Sequence, residues 1–187
     1  MSRVACWGLS LGLLCAWPPA RAVGAPSQDD PPAPPVAAAE TRTVAQVVQV
    51  VTGILGYARW PTPPSPEPPL LCVTGSTPYA AALLAGGEAM STVRARRVAP
   101  DDVLVQMCDA LYVGDLPAPV SKRMLQNVTG RPVVTILEHD ADCGGGMFCL
   151  NAQGAQVGFL INLDIIARSG VRIHPSVLQL ARRRPQP

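Results

Sequence analysis

Histidine is scarce in this sequence. His139 and His174 are the only two, which leaves little for general acid–base chemistry near neutral pH. No serine or cysteine sits in a nucleophile elbow, and the glycines Gly144 to Gly146 lack the lysine that follows in a phosphate loop. A hydrolase would need one of the histidines beside a nucleophile, and no spacing supplies that. Long apolar runs are missing as well. The longest, from Val4 to Trp17, is shorter than the roughly 20 residues that cross a bilayer. Charge excess is small, with 15 basic against 13 acidic residues, so a general nucleic-acid role is not indicated. There is no internal repeat.

What is present begins at the N-terminus. Arg3, the Val4–Trp17 run and then Ala20-Arg21-Ala22 follow the order of charge, apolar core and cleavage site found in a secretory signal peptide, which predicts cleavage after Ala22 and an exported, periplasmic chain. Residues 1–22 take two arginines and two of the six cysteines with them. The expected mature chain is close to neutral and keeps Cys72, Cys108, Cys143 and Cys149. The Arg182–Arg184 run reads as a solvated tail. Residues 23–39, rich in proline and alanine, read as an extended linker, and residues 40–187 suffice for one domain.

Within that domain, Val44, Val47, Val48, Val51, Ile54, Leu55 and Ala58 recur at steps of three and four, which predicts a helix from Thr41 to Ala58. Strands are predicted near Leu70–Thr74, in "TVRARRVA", in "CDALYVGDL" as a central strand, and in "RPVVTILEHD". A helix capped by Ser76 or Thr77 and another over 119–128 lie between them. The Cys143–Cys149 stretch and "GAQVGFLINL" read as a hairpin appended to the sheet. Two short helices follow, the first stopped by Gly170. The fold class is α/β, a mainly parallel central sheet with helices on both faces. In "VTGSTPY" the hydroxyls at a helix start admit an anion site, but capping explains them better.

Four cysteines in an oxidising compartment predict two disulfides, with three connectivities open. Cys72 starts the first strand and Cys108 precedes the third, at the same edge of a parallel sheet, so their sulfurs can meet, leaving Cys143 with Cys149. Loop-closure entropy is worth about 4 kcal/mol for the longer bond and about 2.5 kcal/mol for the shorter. The shorter bond, in a turn expected to be flexible and exposed, is the better candidate for a redox-sensitive one; two plain staples are the alternative. A metal site using His139, Asp140 or Asp142 would need free thiolates, and its spacing matches no zinc pattern.

The strings "GILGYARWP", "LCVTG", "CDALYVG", "GMFCL" and "INLDIIARSGVRIHPSVLQLARR" occur in order from Val44 to Arg184. With all four cysteines in place, they resemble the YfiR family. The resemblance implies a non-enzymatic periplasmic repressor, dimeric and kept active by its disulfides. It implies restraint of the periplasmic sensor domain of an inner-membrane diguanylate cyclase (YfiN, or TpbB), relieved when an outer-membrane lipoprotein (YfiB) sequesters the repressor. No cofactor and no metal are implied. The long linker and the glycine-rich turn depart from the family pattern. For the partner-binding patch the candidates are Ile173 as apolar anchor, with Arg172 and His174 as polar rim on a short connection. An alternative is a small-molecule module in which Arg59, Trp60, Arg172 and His174 form a cationic, aromatic pocket for an anionic or planar ligand.

Overall fold

The apolar stripe does build a long helix, α1 (Pro35–Tyr57), whose Val47, Val51 and Ile54 have no exposed surface. The computed structural model describes residues 35–64, 67–104, 106–152 and 156–181; the expected signal peptide, most of the linker and the Arg182–Arg184 run lie outside them. α1 begins at Pro35, earlier than the periodicity indicates, so residues 35–39, expected as linker, are helical. Proline suits a first turn and Ala37 to Glu40 are strong helix formers. They add no large apolar side chain to the stripe, so periodicity alone does not reveal them.

The chain continues through β1 (Ala58–Arg59), β2 (Leu70–Thr74), α2 (Ala80–Leu84), β3 (Arg94–Arg97), β4 (Ala110–Val113), α3 (Ala118–Val128), β5 (Val134–Leu137), β6 (Phe148–Asn151), β7 (Gly158–Ile161), α4 (Leu163–Ser169), β8 (Arg172–Ile173) and α5 (Val177–Ala181). Six strands form one sheet in the order β3-β2-β4-β5-β6-β7. The first five are mutually parallel and β7 is antiparallel to β6. The mainly parallel α/β architecture is therefore as expected. β2, β4 and β5 are buried along their whole lengths, as central parallel strands must be. Alternate residues divide the core. Leu71, Val73, Tyr112, Ile136 and Phe148 pack with α1 and α2, while Cys72, Leu111, Val113 and Leu137 pack with Met124, Leu125 and Val128 of α3. Arginine-rich β3 forms one rim of the sheet and β7 the other.

Strand order reverses between β2 and β4, and the loops leaving these two strands meet there. Ser76 and Asp115 exchange both backbone bonds, Ser76 N–H to Asp115 O at 2.9 Å and Asp115 N–H to Ser76 O at 2.7 Å. Glycine permits the approach: a Cβ on Gly75 (φ +77) would lie 2.7 Å from Asp115 O, and one on Gly114 would strike Ser76 O. The crevice where open α/β sheets usually take ligands is thus stitched by backbone, and the Ser76 amide beside the hydroxyls considered for an anion is committed to Asp115 O. The expected cap also differs. Thr77 Oγ1 accepts from Tyr79 N–H at 3.1 Å, one turn ahead of α2, and makes no helix-cap bond.

The glycine-rich stretch is not a hairpin strand. It is the crossover from β5 to β6, and the hairpin is β6 with β7. Beyond it, Asn162 caps α4 by accepting from Ile165 N–H at 3.0 Å, and Gly170, left-handed at φ 78, ends that helix. α5 then lies along α1, where Gly53 leaves room for Leu180.

Candidate functional site

Arg172 and Ile173, expected on an irregular connection, form the strand β8, which pairs antiparallel with β1 in the register Ala58 to Ile173 and Arg59 to Arg172. Two-residue strands far apart in sequence leave no periodic signal. Side chains alternate across the small ladder. Ala58 is 1% exposed and Ile173, half-buried, packs on the core, so Ile173 supports the ladder more than it projects from it. Arg59 and Arg172 both face water. Arg59 Nη1 donates to Gly56 O at 2.8 Å and Ala58 O at 2.7 Å, which holds its guanidinium against the end of α1. Neither arginine has an acidic partner among the described residues. His174 extends the ladder: its N–H donates to Tyr57 O at 3.0 Å, its ring stacks on Tyr57 with centroids 6.0 Å apart, and its Nδ1 accepts from Ser176 N–H at 3.2 Å. That bond leaves Nε2 as the nitrogen able to carry the proton outward.

Trp60 departs from this face. Its indole N–H donates to Asp109 O at 3.0 Å, and its ring packs on the core. A groove of about 350 Å³ runs beside it, lined by Leu55, Arg59, Trp60, Pro63 and Glu67 among others, without Arg172 or His174. The structure therefore brings Arg59, Arg172 and His174 together and separates Trp60 from the latter two.

The disulfides join Cys72 to Cys108 and Cys143 to Cys149, with Cα atoms 5.7 and 5.4 Å apart. Cys72 lies at the middle of β2, not at its start as expected, and the bond to Cys108 locks that strand to the segment entering β4 on the α3 face. The second bond is not exposed: Cys143 is 4% and Cys149 1% accessible. The glycines serve packing here. A Cβ on Gly146 would overlap Leu137 and one on Gly145 would lie 3.1 Å from Leu125, whereas Gly144 has open space around it. Asp140 fastens the loop by accepting from Gly145 N–H at 2.8 Å, and Asn162 Nδ2 donates to Cys143 O at 2.8 Å. Among the described residues no three His, Cys, Asp or Glu side chains converge on a metal position.

A polar cluster that the sequence reading missed lies at the carboxyl end of the sheet. Tyr112 is fully buried, and its hydroxyl lies within reach of the Thr77 hydroxyl and the Glu138 carboxyl. Burial pushes the Glu138 carboxyl above its usual range. The Tyr112 phenol is pushed up mainly by burial and further by the charge of Glu138, as is Tyr79 more weakly. Tyr79 and Glu138 border a cleft of about 800 Å³ that also touches Leu150, Ala152 and Phe159. A separate cleft of about 580 Å³ on the α3 side is bordered by Lys122, Arg168, His139, Asp115 and Asp140.

Among the described residues no helix is long and apolar enough to cross a membrane. Comparison with models of known protein families matches residues 45–182 to the one described as YfiR/HmsC-like. The matched span runs from inside α1 to the end of α5 and takes in both disulfides and the β1–β8 ladder; the chain belongs to the YfiR/HmsC-like family.

Proposed function

We propose that this protein represses an inner-membrane diguanylate cyclase from the periplasm by binding the cyclase's sensor domain through the face formed by Arg59, Arg172 and His174. Membership of the YfiR/HmsC-like family supports a periplasmic regulator of such a cyclase. The observation that carries the assignment of the face is the register pairing of Arg59 with Arg172. Two like charges set opposite each other on a ladder cost stability, and an acidic partner surface offsets that cost. Repression follows if the face prefers the inactive form of the sensor, because equal affinity for both forms shifts nothing. An outer-membrane lipoprotein that covers the same face releases the cyclase, and the repressor acts as a homodimer.

The redox dependence works through folding. With Cys143 and Cys149 buried, reduction lowers the amount of folded repressor; it does not flip a local surface switch. Reducing stress in the envelope thereby raises cyclic di-GMP and favours biofilm growth. The reading as a small-molecule pocket made by Arg59, Trp60, Arg172 and His174 is the less well supported, since Trp60 donates to Asp109 O and lines a groove without Arg172 or His174.

The test is cyclic di-GMP in cells carrying the cognate cyclase, with the gene deleted, restored, or restored as the Arg59→Glu, Arg172→Glu double variant. Deletion raises the level, the parent lowers it, and the charge-reversed form, secreted in equal amount, does not. A level indifferent to deletion removes the repressor reading.

A further inference from the structure

The sulfur atoms of the described residues fall into two groups. Met90, Met124 and Met147 are 2%, 3% and 2% exposed, and Cys72, Cys108, Cys143 and Cys149 are joined in two buried disulfides. Met107 is 82% exposed. It stands in the segment entering β4 with a left-handed backbone, φ 50, a conformation that non-glycine residues seldom adopt. Its neighbours hold it there. Gln106 N–H donates to Asp102 O at 2.9 Å and Gln106 Oε1 accepts from Arg96 Nη1 of β3 at 2.7 Å, while Cys108 is bonded to Cys72 of β2. The residues before and after Met107 are thus fastened to two strands, and its own side chain joins neither part of the core.

From this contrast we infer that Met107 is a site of reversible oxidation, the one thioether among the described residues that a small two-electron oxidant such as hypochlorous acid reaches without opening the fold. The net step forms one sulfur–oxygen bond and breaks the oxygen–chlorine bond. Sulfur gives up two electrons, chlorine takes them and leaves as chloride, and the proton passes to water. A buried methionine reacts only when its region opens, and its sulfoxide disrupts the packing around it. Met107 carries neither penalty. Its sulfoxide puts a polar oxygen into water, in the turn where Leu104 is also exposed, and leaves the core untouched. Reversal needs the same access: two thiols of a methionine sulfoxide reductase take the oxygen away as water and become a disulfide. The two sulfur chemistries of the protein therefore answer opposite stresses, the buried disulfides to reductants and Met107 to oxidants. None of this involves Arg59, Arg172 or His174, so the site stands or falls apart from the repressor reading.

The experiment treats the folded, disulfide-bonded protein with limiting hypochlorous acid and follows oxygen uptake at each methionine by peptide mass mapping, beside the Met107→Leu variant. Met107 should gain one oxygen at least about tenfold faster than Met90, Met124 or Met147. The singly oxidised protein should keep its melting temperature within about 2 °C, and the two stereospecific methionine sulfoxide reductases together should restore the thioether. Met107→Leu should pass through the same dose with its three buried methionines intact. Uptake spread evenly over the four methionines would overturn the site, as would a loss of several degrees on oxidation of Met107 alone. A sulfoxide that the reductases leave in place on the folded protein, but remove after unfolding, would overturn its reversibility.

Discussion

Arg172→Ala separates a binding role from a structural one, because the structure requires stability and function to move in opposite directions. Arg59 and Arg172 are register partners on a two-residue ladder, both facing water. Like charges directly opposite on a ladder destabilise by about 0.2–1 kcal/mol. Removing one guanidinium should stabilise the fold by about 0.5 kcal/mol, or roughly 1–2 °C in a domain of this size, and the gain should shrink in high salt as screening removes the repulsion. Binding should change more. An arginine at the centre of an interface costs about 2 kcal/mol or more when truncated, about a thirtyfold weaker complex. Paired measurements of melting temperature at low and high salt and of affinity for the cyclase's periplasmic domain read both quantities. A melting temperature several degrees lower, with binding reduced in proportion, would show that Arg172 acts through the fold; unchanged affinity would remove it from the interface.

Three further predictions rest on other parts of the molecule. Gly146→Ala should destabilise by about 1–3 kcal/mol through overlap with Leu137, while Gly144→Ala, with open space at its Cβ, should be neutral or slightly stabilising; equal effects in urea titrations would mean that the glycines supply flexibility instead. Replacing Cys72 and Cys108 together by alanine should cost about 4 kcal/mol, against about 2.5 kcal/mol for Cys143 and Cys149, and the reverse order in chemical denaturation would refute loop closure as the dominant effect. Glu138 has a folded-state pKa raised by burial, so its contribution to stability is present below the unfolded value near about 4.3 and is lost as pH rises through the folded value. Glu138→Gln should therefore melt increasingly above the parent as pH rises across that window, and a constant gap would place the carboxyl in water.

The sheet was legible because its central strands are continuous apolar runs and because helices alternate with them; burial on both faces writes itself into composition. The pairing of Cys72 with Cys108 follows from the same topology, since neighbouring parallel strands begin at one edge. Arg59, Arg172 and His174 could be nominated from residue type and loop position, but their register depends on β1 and β8, each only two residues long, where no period exists to read. Trp60 was drawn into the same pocket by its neighbourhood in sequence, yet a single hydrogen bond to Asp109 turns it toward the end of the sheet. Tyr112 and Glu138 were read only as parts of strands. Their meeting depends on how β4 and β5 slide past each other, a quantity that no local pattern encodes. The glycine run carries a similar lesson: open turns and tight packing both favour glycine, and only the position of Leu137 tells them apart.

The two rims of the sheet have different consequences when chains meet. β3 presents Arg94, Arg96 and Arg97 along one border, whereas β7, Gly158-Phe159-Leu160-Ile161, carries no charge along the other. Rows of charge on a border strand discourage another chain from adding to it. A strand added edge to edge would therefore meet repelling charge at β3 and none at β7. Charge on one border is enough to stop such pairing from propagating, because a chain joined through β7 would still offer only the charged β3 outward.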